Sequence, residues 1–240
     1  MKKQGAGIRG WAQGITVGLG FLRMLSLTAS AETQPESAAE NLRITVRIYQ
    51  FAQIPDDTLS QAEMTASRVF REAGIELDWL DCPIKSAEPG QNPACRESSP
   101  TMLRMRIMPP ATPQARTFLS DDALGFAVTL ARPEHGYLAS VYYDRACQRA
   151  EKLGHHSWQI LGFAIAHEIG HLLLGSNSHA PSGLMRGKWD KHAMAWGVRG
   201  ALVLSPEEAA TIRTEVRARK DASRAWGQLT RSNATSKSRS

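Results

Sequence analysis

Along Leu42, Ile44, Val46 and Ile48, apolar residues alternate with Arg43, Thr45, Arg47 and Tyr49. A period of two sends one set to a buried face, so the stretch predicts a half-buried β-strand. Pro55-Asp56-Asp57 breaks it. Leu59, Met64, Ala66, Val69 and Phe70 then recur near the helical period up to Gly74, a residue suited to stopping a helix. Ile75 to Trp79 alternates again. Strand, helix, strand in this order predicts a parallel crossover with both strands in one sheet.

Cys82 to Pro100 is rich in Pro, Gly and Ser and predicts an irregular loop. Leu103, Met105 and Ile107 alternate with Arg104 and Arg106, a further strand ended by Pro109, Pro110 and Pro113. Ala123–Leu130 and Tyr137–Tyr143 predict two more, joined by a turn over Pro133–Gly136 that leaves His135 in solvent. The stretch from Ile160 to Leu174 is apolar almost all round, the signature of a buried helix. His155 and His156 precede it as loop residues, and Ser157 is the expected N-cap. Gly162 and Gly170 each cost a helix interior about 1 kcal/mol relative to Ala, which predicts close approach of another backbone at both. Trp189–Leu204 is mixed. Ser205-Pro206-Glu207-Glu208 is a strong helix start, and the helix is expected to run to about Lys220 and pack behind the buried one. Residues 221–240 read as a flexible tail.

Composition changes this picture at the N-terminus. The net charge is +6, with 29 Lys and Arg against 23 Asp and Glu. Lys2, Lys3, Arg9 and Arg23 precede Ala31 and no acidic residue does, so the remainder carries 25 basic against 23 acidic residues, or +2. The basic character belongs mainly to the leader and is not a nucleic-acid footprint. Residues 1–31 have a charged start, an apolar run from Trp11 to Leu27 and a small-x-small sequence at Ala29-Ser30-Ala31, as in a cleaved secretion signal. An uncleaved anchor is the rival, disfavoured by Arg23 and the many glycines. No later stretch could span a membrane. A secreted or periplasmic setting makes Cys82 and Cys95 the expected disulfide and leaves Cys147 over, a buried thiol by default, with pairings to Cys147 the alternative. Residues 32–220 are long enough for one domain.

Within Ile160–Leu174 only His167, Glu168 and His171 are polar. At about 100° per residue they share one face. Burying two imidazoles and a carboxylate without partners would cost several kcal/mol, and a bound cation offsets that cost directly. Histidines at i and i+4 can hold one metal from the same side, with the intervening Glu set to touch water beside it. Imidazole donors and an open position favour Zn2+ and hydrolysis. Gly175 can reverse the chain and bring His179 to the metal. Asp190, His192, Glu207 and Glu208 are the rival third ligands. Pro181-Ser182-Gly183 makes a tight turn that returns Leu184-Met185 beneath the site.

His167-Glu168-Ile169-Gly170-His171, then Gly175, His179 and a turn ending in Met185, resembles the metzincin zinc endopeptidases, matrixin-type enzymes most closely. The resemblance implies His167, His171 and His179 as zinc ligands, Glu168 as general base and Met185 as the floor of the site. It implies an α+β, zincin-like fold: a mixed twisted sheet, an upstream helix, the active-site helix, the Met turn and a C-terminal helix. It also implies a sheet edge, Leu124–Ala127, that takes a peptide or protein substrate in extended form. The motif departs from the family by one added residue on each side of Gly175, and no Tyr follows Met185. The function expected is secreted, zinc-dependent peptide hydrolysis. A zinc-binding module without proteolytic activity and an amidase acting on cell-wall peptides are the competing expectations.

Overall fold

The computed structural model describes residues 41–84, 92–110, 120, 123–129, 136–175, 178–200 and 202–237. The leader (1–31) and His135 lie outside them, so the expectations placed there are not addressed by the fold. The first alternating stretch forms β1 (Leu42–Gln50), followed by α1 (Asp56–Glu72) and β2 (Ile75–Asp81), and β1 and β2 pair in parallel. The next strands are β3 (Met102–Met108), β4 (Gly125–Thr129) and β5 (Gly136–Tyr142). They complete a sheet of order β2-β1-β3-β5-β4, in which only the edge strand β4 runs antiparallel to its neighbour. The result is the mixed-sheet architecture expected.

The two-residue period sets the core. Leu42, Ile44, Val46 and Ile48, with Leu103, Met105 and Ile107, bury the face on which α1 and α3 (Ser157–Leu174) pack. In α1 the buried positions are Leu59, Ala62, Thr65, Ala66, Val69 and Phe70, whereas Met64 is exposed although the apolar pattern includes it. Asp56 and Asp57 begin the helix, where negative charge complements the macrodipole. Gly162 is the contact point between the two helices. A Cβ there would stand 2.6 Å from the Ala62 carbonyl oxygen, so the close backbone is that of α1.

Several boundaries differ from the sequence reading. The strand expected to reach Tyr143 stops at Tyr142, and α2 (Tyr143–Leu153) begins at once, ending at Gly154 with φ 74°. Only the small residues Ala146 and Ala150 are buried in α2, which leaves a faint apolar stripe. The N-cap of α3 is His156 and not Ser157; its backbone N–H donates to Gln159 Oε1 at 3.0 Å. A short helix, α4 (Lys191–Val198), is capped by Asp190, which accepts from the Ala193 N–H at 2.8 Å.

The last helix, α5, spans Pro206–Lys237, so residues 221–237 continue it. Its start is a reciprocal cap: Glu208 N–H donates to Ser205 Oγ at 3.2 Å and Ser205 N–H to Glu208 Oε2 at 2.7 Å. Beyond Lys220, a hydroxyl contact of Ser223 with Ser99 (2.9 Å) ties it to the body. Arg219 fixes α5 more firmly. Its buried guanidinium donates to the carbonyls of Gly136 and Leu172, each at 3.0 Å, and Pro100, at 3.3 Å, and pairs with Glu215 at 2.6 Å. Cys82 and Cys95 form the disulfide. Arg47, on the polar face of β1, is buried beneath that loop and donates to the Cys95 carbonyl at 2.9 Å and to the Glu97 carbonyl. Cys147 is free and half-buried.

Candidate metal centre

Three histidines converge where α3 meets the segment after it. His171 Nε2 lies 3.0 Å from His167 Nε2 and 3.1 Å from His179 Nε2. Gly175 makes the convergence possible: with φ 90° it ends α3, and the chain doubles back to His179 despite the added residues. Among the described residues no other His, Cys, Asp or Glu joins a group of this kind with them. The rivals are employed elsewhere. Asp190 caps α4 and pairs with Arg186 at 3.3 Å, Glu208 caps α5, and Glu207 stands exposed in its first turn. His192 is exposed.

The outer nitrogens determine what the inner ones can do. His167 Nδ1 faces the Leu184 carbonyl oxygen at 2.9 Å and must therefore carry the proton it donates. His171 Nδ1 lies 2.7 Å from Ser178 Oγ, whose own hydrogen goes to the Gly175 carbonyl at 2.9 Å. Ser178 can then only accept, so His171 Nδ1 is also protonated. Burial holds both imidazoles neutral, pushing His167 down to about 4, partly opposed by the Leu184 carbonyl, and His171 down to about 3, with the neighbouring histidines adding to the effect. The Nε2 atoms of His167 and His171 are thus both bare, and two lone pairs face one another at 3.0 Å. A proton from His179 could satisfy one of them and not both. A cation satisfies both, and fixed Nδ1–H bonds are the usual means of presenting Nε2 to a metal.

Beneath the histidines, Ala180 N–H donates to the Met185 carbonyl at 2.8 Å and Leu184 N–H to that of Val203 at 2.9 Å, fixing the turn. Met185 is fully buried, and its sulfur lies 2.5 Å from where a Cβ on Gly170 would be. Gly170 therefore makes room for a side chain, where the sequence reading expected a backbone. Trp189 stands edge-on to the His167 ring at 5.4 Å and donates its Nε1–H to the Leu184 carbonyl at 3.2 Å.

Glu168 is 5 % exposed, its Oε2 has no hydrogen-bond partner, and burial pushes its carboxyl up to about 8. It lies under β4: a Cβ on Gly125 would stand 3.0 Å from Glu168 Oε1 and 2.5 Å from the Ser140 carbonyl oxygen. The missing side chain lets the edge strand pass close to the carboxylate. Together these residues line a cleft of about 390 Å³, with Leu124–Ala127 on one wall and Arg186–Trp189 on the other.

His167, Glu168, His171, His179 and Met185 were all expected from sequence, and the fold brings them together. Ser178, the Leu184 carbonyl, Trp189 and Gly125 were not. Ser178 adjoins His179, the one sequence signal that could have suggested it; a backbone carbonyl gives none. Fold and site together define a mixed-sheet domain with a three-histidine cluster able to hold a cation and a buried carboxylate beside it.

No protein-family model matches the sequence, and neither does any curated protein. Among solved structures, the archaemetzincin of Methanopyrus kandleri aligns at 12 % identity and a TM-score of 0.44, over 77 % of this chain and 99 % of its own. A zinc-dependent peptidase of Methanocorpusculum labreanum aligns at 13 % identity and a TM-score of 0.45, over 70 % of this chain and 99 % of its own.

Proposed function

We propose that the chain is a secreted or periplasmic, metzincin-like zinc endopeptidase, nearest to the matrixin type in its motif, with Glu168 as general base. The observation that carries this reading is the pair of bare Nε2 atoms on His167 and His171, with His179 beside them and an unpartnered buried carboxylate one residue along the helix. These donors suit Zn2+, and three of them leave a position open. When bound, zinc supplies a Lewis acid that makes water nucleophilic near neutral pH and polarises a carbonyl.

The chain's own residues supply the rest. His167 and His171 stay neutral and aimed because Leu184 and Ser178 hold their Nδ1 protons. Glu168 Oε2, with no partner to release, takes the proton of the attacking water and returns it to the leaving amine. Burial alone keeps the Glu168 carboxyl protonated; a cation beside it favours the carboxylate, so the share of Glu168 ready to accept a proton rises with metal occupancy. Among the described residues β4 is the edge strand of the sheet and lines the cleft, suited to pairing with an extended peptide.

The test is a casein or peptide-library digest with and without chelator, on wild type and Glu168→Gln. Wild type cleaves only with metal; Glu168→Gln keeps stoichiometric zinc and loses turnover by at least ~100-fold. Full activity in the Gln variant would overturn the base assignment. Zinc without cleavage of any peptide would favour the non-proteolytic module, and cleavage of cell-wall peptides alone would favour the amidase.

A further inference from the structure

Away from the histidines, a larger cavity of about 650 Å³ opens between α5 and the starts of β3 and β5. It is the size of a small-molecule site. It results from how α5 is held. Arg219 reaches past the helix surface to the Pro100, Gly136 and Leu172 carbonyls, a strut that fixes the distance between α5 and the strand ends. On either side of the strut the helix places the small residues Ala218 and Ala222 at the gap, where a leucine would close it. Trp226, one turn beyond Ala222, and Tyr137 stand at the same cavity, 62 % and 48 % exposed. Flat aromatics left open around a cavity commonly mark a binding surface.

The charge lining the cavity is unbalanced: three guanidinium groups (Arg47, Arg104, Arg219) against the single carboxylate of Glu215. Glu215 is committed to Arg219. Arg47 is spent on backbone carbonyls, which lower no net charge. The Arg104 side chain is exposed and makes no hydrogen bond or ion pair to any described residue. We propose that this cavity binds a small amphipathic anion, its apolar or aromatic body between Trp226 and Tyr137 and its carboxylate or sulfonate toward Arg104. The proposal uses none of the residues of the histidine centre and stands apart from the peptidase reading.

The experiment titrates the full chain with 8-anilinonaphthalene-1-sulfonate, and in parallel with the uncharged N-phenyl-1-naphthylamine. Saturable binding of the sulfonate at one site per chain is expected. Ala222→Trp, which fills the cavity from an exposed position, weakens both dyes by at least ~10-fold, and Arg104→Glu weakens the sulfonate by about 10-fold while sparing the neutral dye. Ala218→Leu gives a second, milder filling should Ala222→Trp not fold. Octanoate and 2-naphthoate displace the sulfonate. Unchanged affinity in the filling variants, equal loss of both dyes in Arg104→Glu, or displacement by long peptides and not by small carboxylates would each overturn the proposal.

Discussion

Replacing Ser178 by alanine tests the argument for the metal at its narrowest point. The substitution removes one oxygen, the group that accepts the Nδ1 proton of His171 at 2.7 Å while donating to Gly175 at 2.9 Å. Without it the His171 ring is free to turn, and its proton can move to Nε2, where it would block the metal. A single hydrogen bond contributes about 0.5–1.5 kcal/mol net. Loss of a group orienting a metal-bound histidine typically costs ~10- to 100-fold in affinity. The two ranges meet near 1.4 kcal/mol, so zinc affinity should fall about 10-fold. The loss is partial because His167 keeps its backbone partner at Leu184, beyond the reach of any side-chain change. Competition against a chromophoric chelator measures the affinity, and urea denaturation of the zinc-free chain separates it from global stability. Ser178→Thr, which keeps the hydroxyl, should retain most of the affinity. If Ser178→Ala bound zinc as tightly as wild type, the proton assignment at His171, and with it the claim of two facing lone pairs, would be wrong.

Gly170→Ala should destabilise the fold by up to about 2 kcal/mol: the added methyl meets the buried Met185 sulfur at 2.5 Å, an overpacking cost of ~1–3 kcal/mol set against a helix-propensity gain of about 1 kcal/mol. Urea denaturation checks it, and Met185→Ala in the same chain should recover part of the loss. Glu63 gives a pH dependence. Burial, with Asp81 nearby, pushes its carboxyl up to about 7 in the folded chain. The folded state then holds this proton more tightly than the unfolded one, so its contribution is fully present below about 4.5 and is lost as pH rises through about 7. Part exposure of the group keeps the effect small. Denaturation midpoints measured from pH 4 to 8 should decline less steeply in Glu63→Gln than in wild type.

The parts of the fold legible in the sequence are those where one face is buried and the other wet. β1 and β3 show a clean period of two because α1 and α3 cover one side only. Even there Arg47 misleads: its polar face is covered by the disulfide loop, a long-range contact no local pattern encodes. α2 escaped notice because its buried stripe is two alanines and it follows β5 without a turn. The C-terminal helix runs further than its composition suggests because Arg219 and Ser223 tie it to distant loops. At the site, His167, Glu168 and His171 stood out as the only polar groups between Ile160 and Leu174. His179 was reachable because Gly175 marks a reversal. Their proton assignments depend on one serine hydroxyl and one backbone carbonyl placed by tertiary structure, and periodicity carries no trace of either.

The tie from Arg219 to Leu172 spans 47 positions and points backward along the chain. A growing polypeptide emerges N-terminus first, so α3 leaves the ribosome well before the side chain that closes its final turn. Until then the Leu172 carbonyl lacks its protein donor, and the turn carrying His171 is free to fray. The order of synthesis thus delays a finished histidine cluster until Arg219 itself has been made.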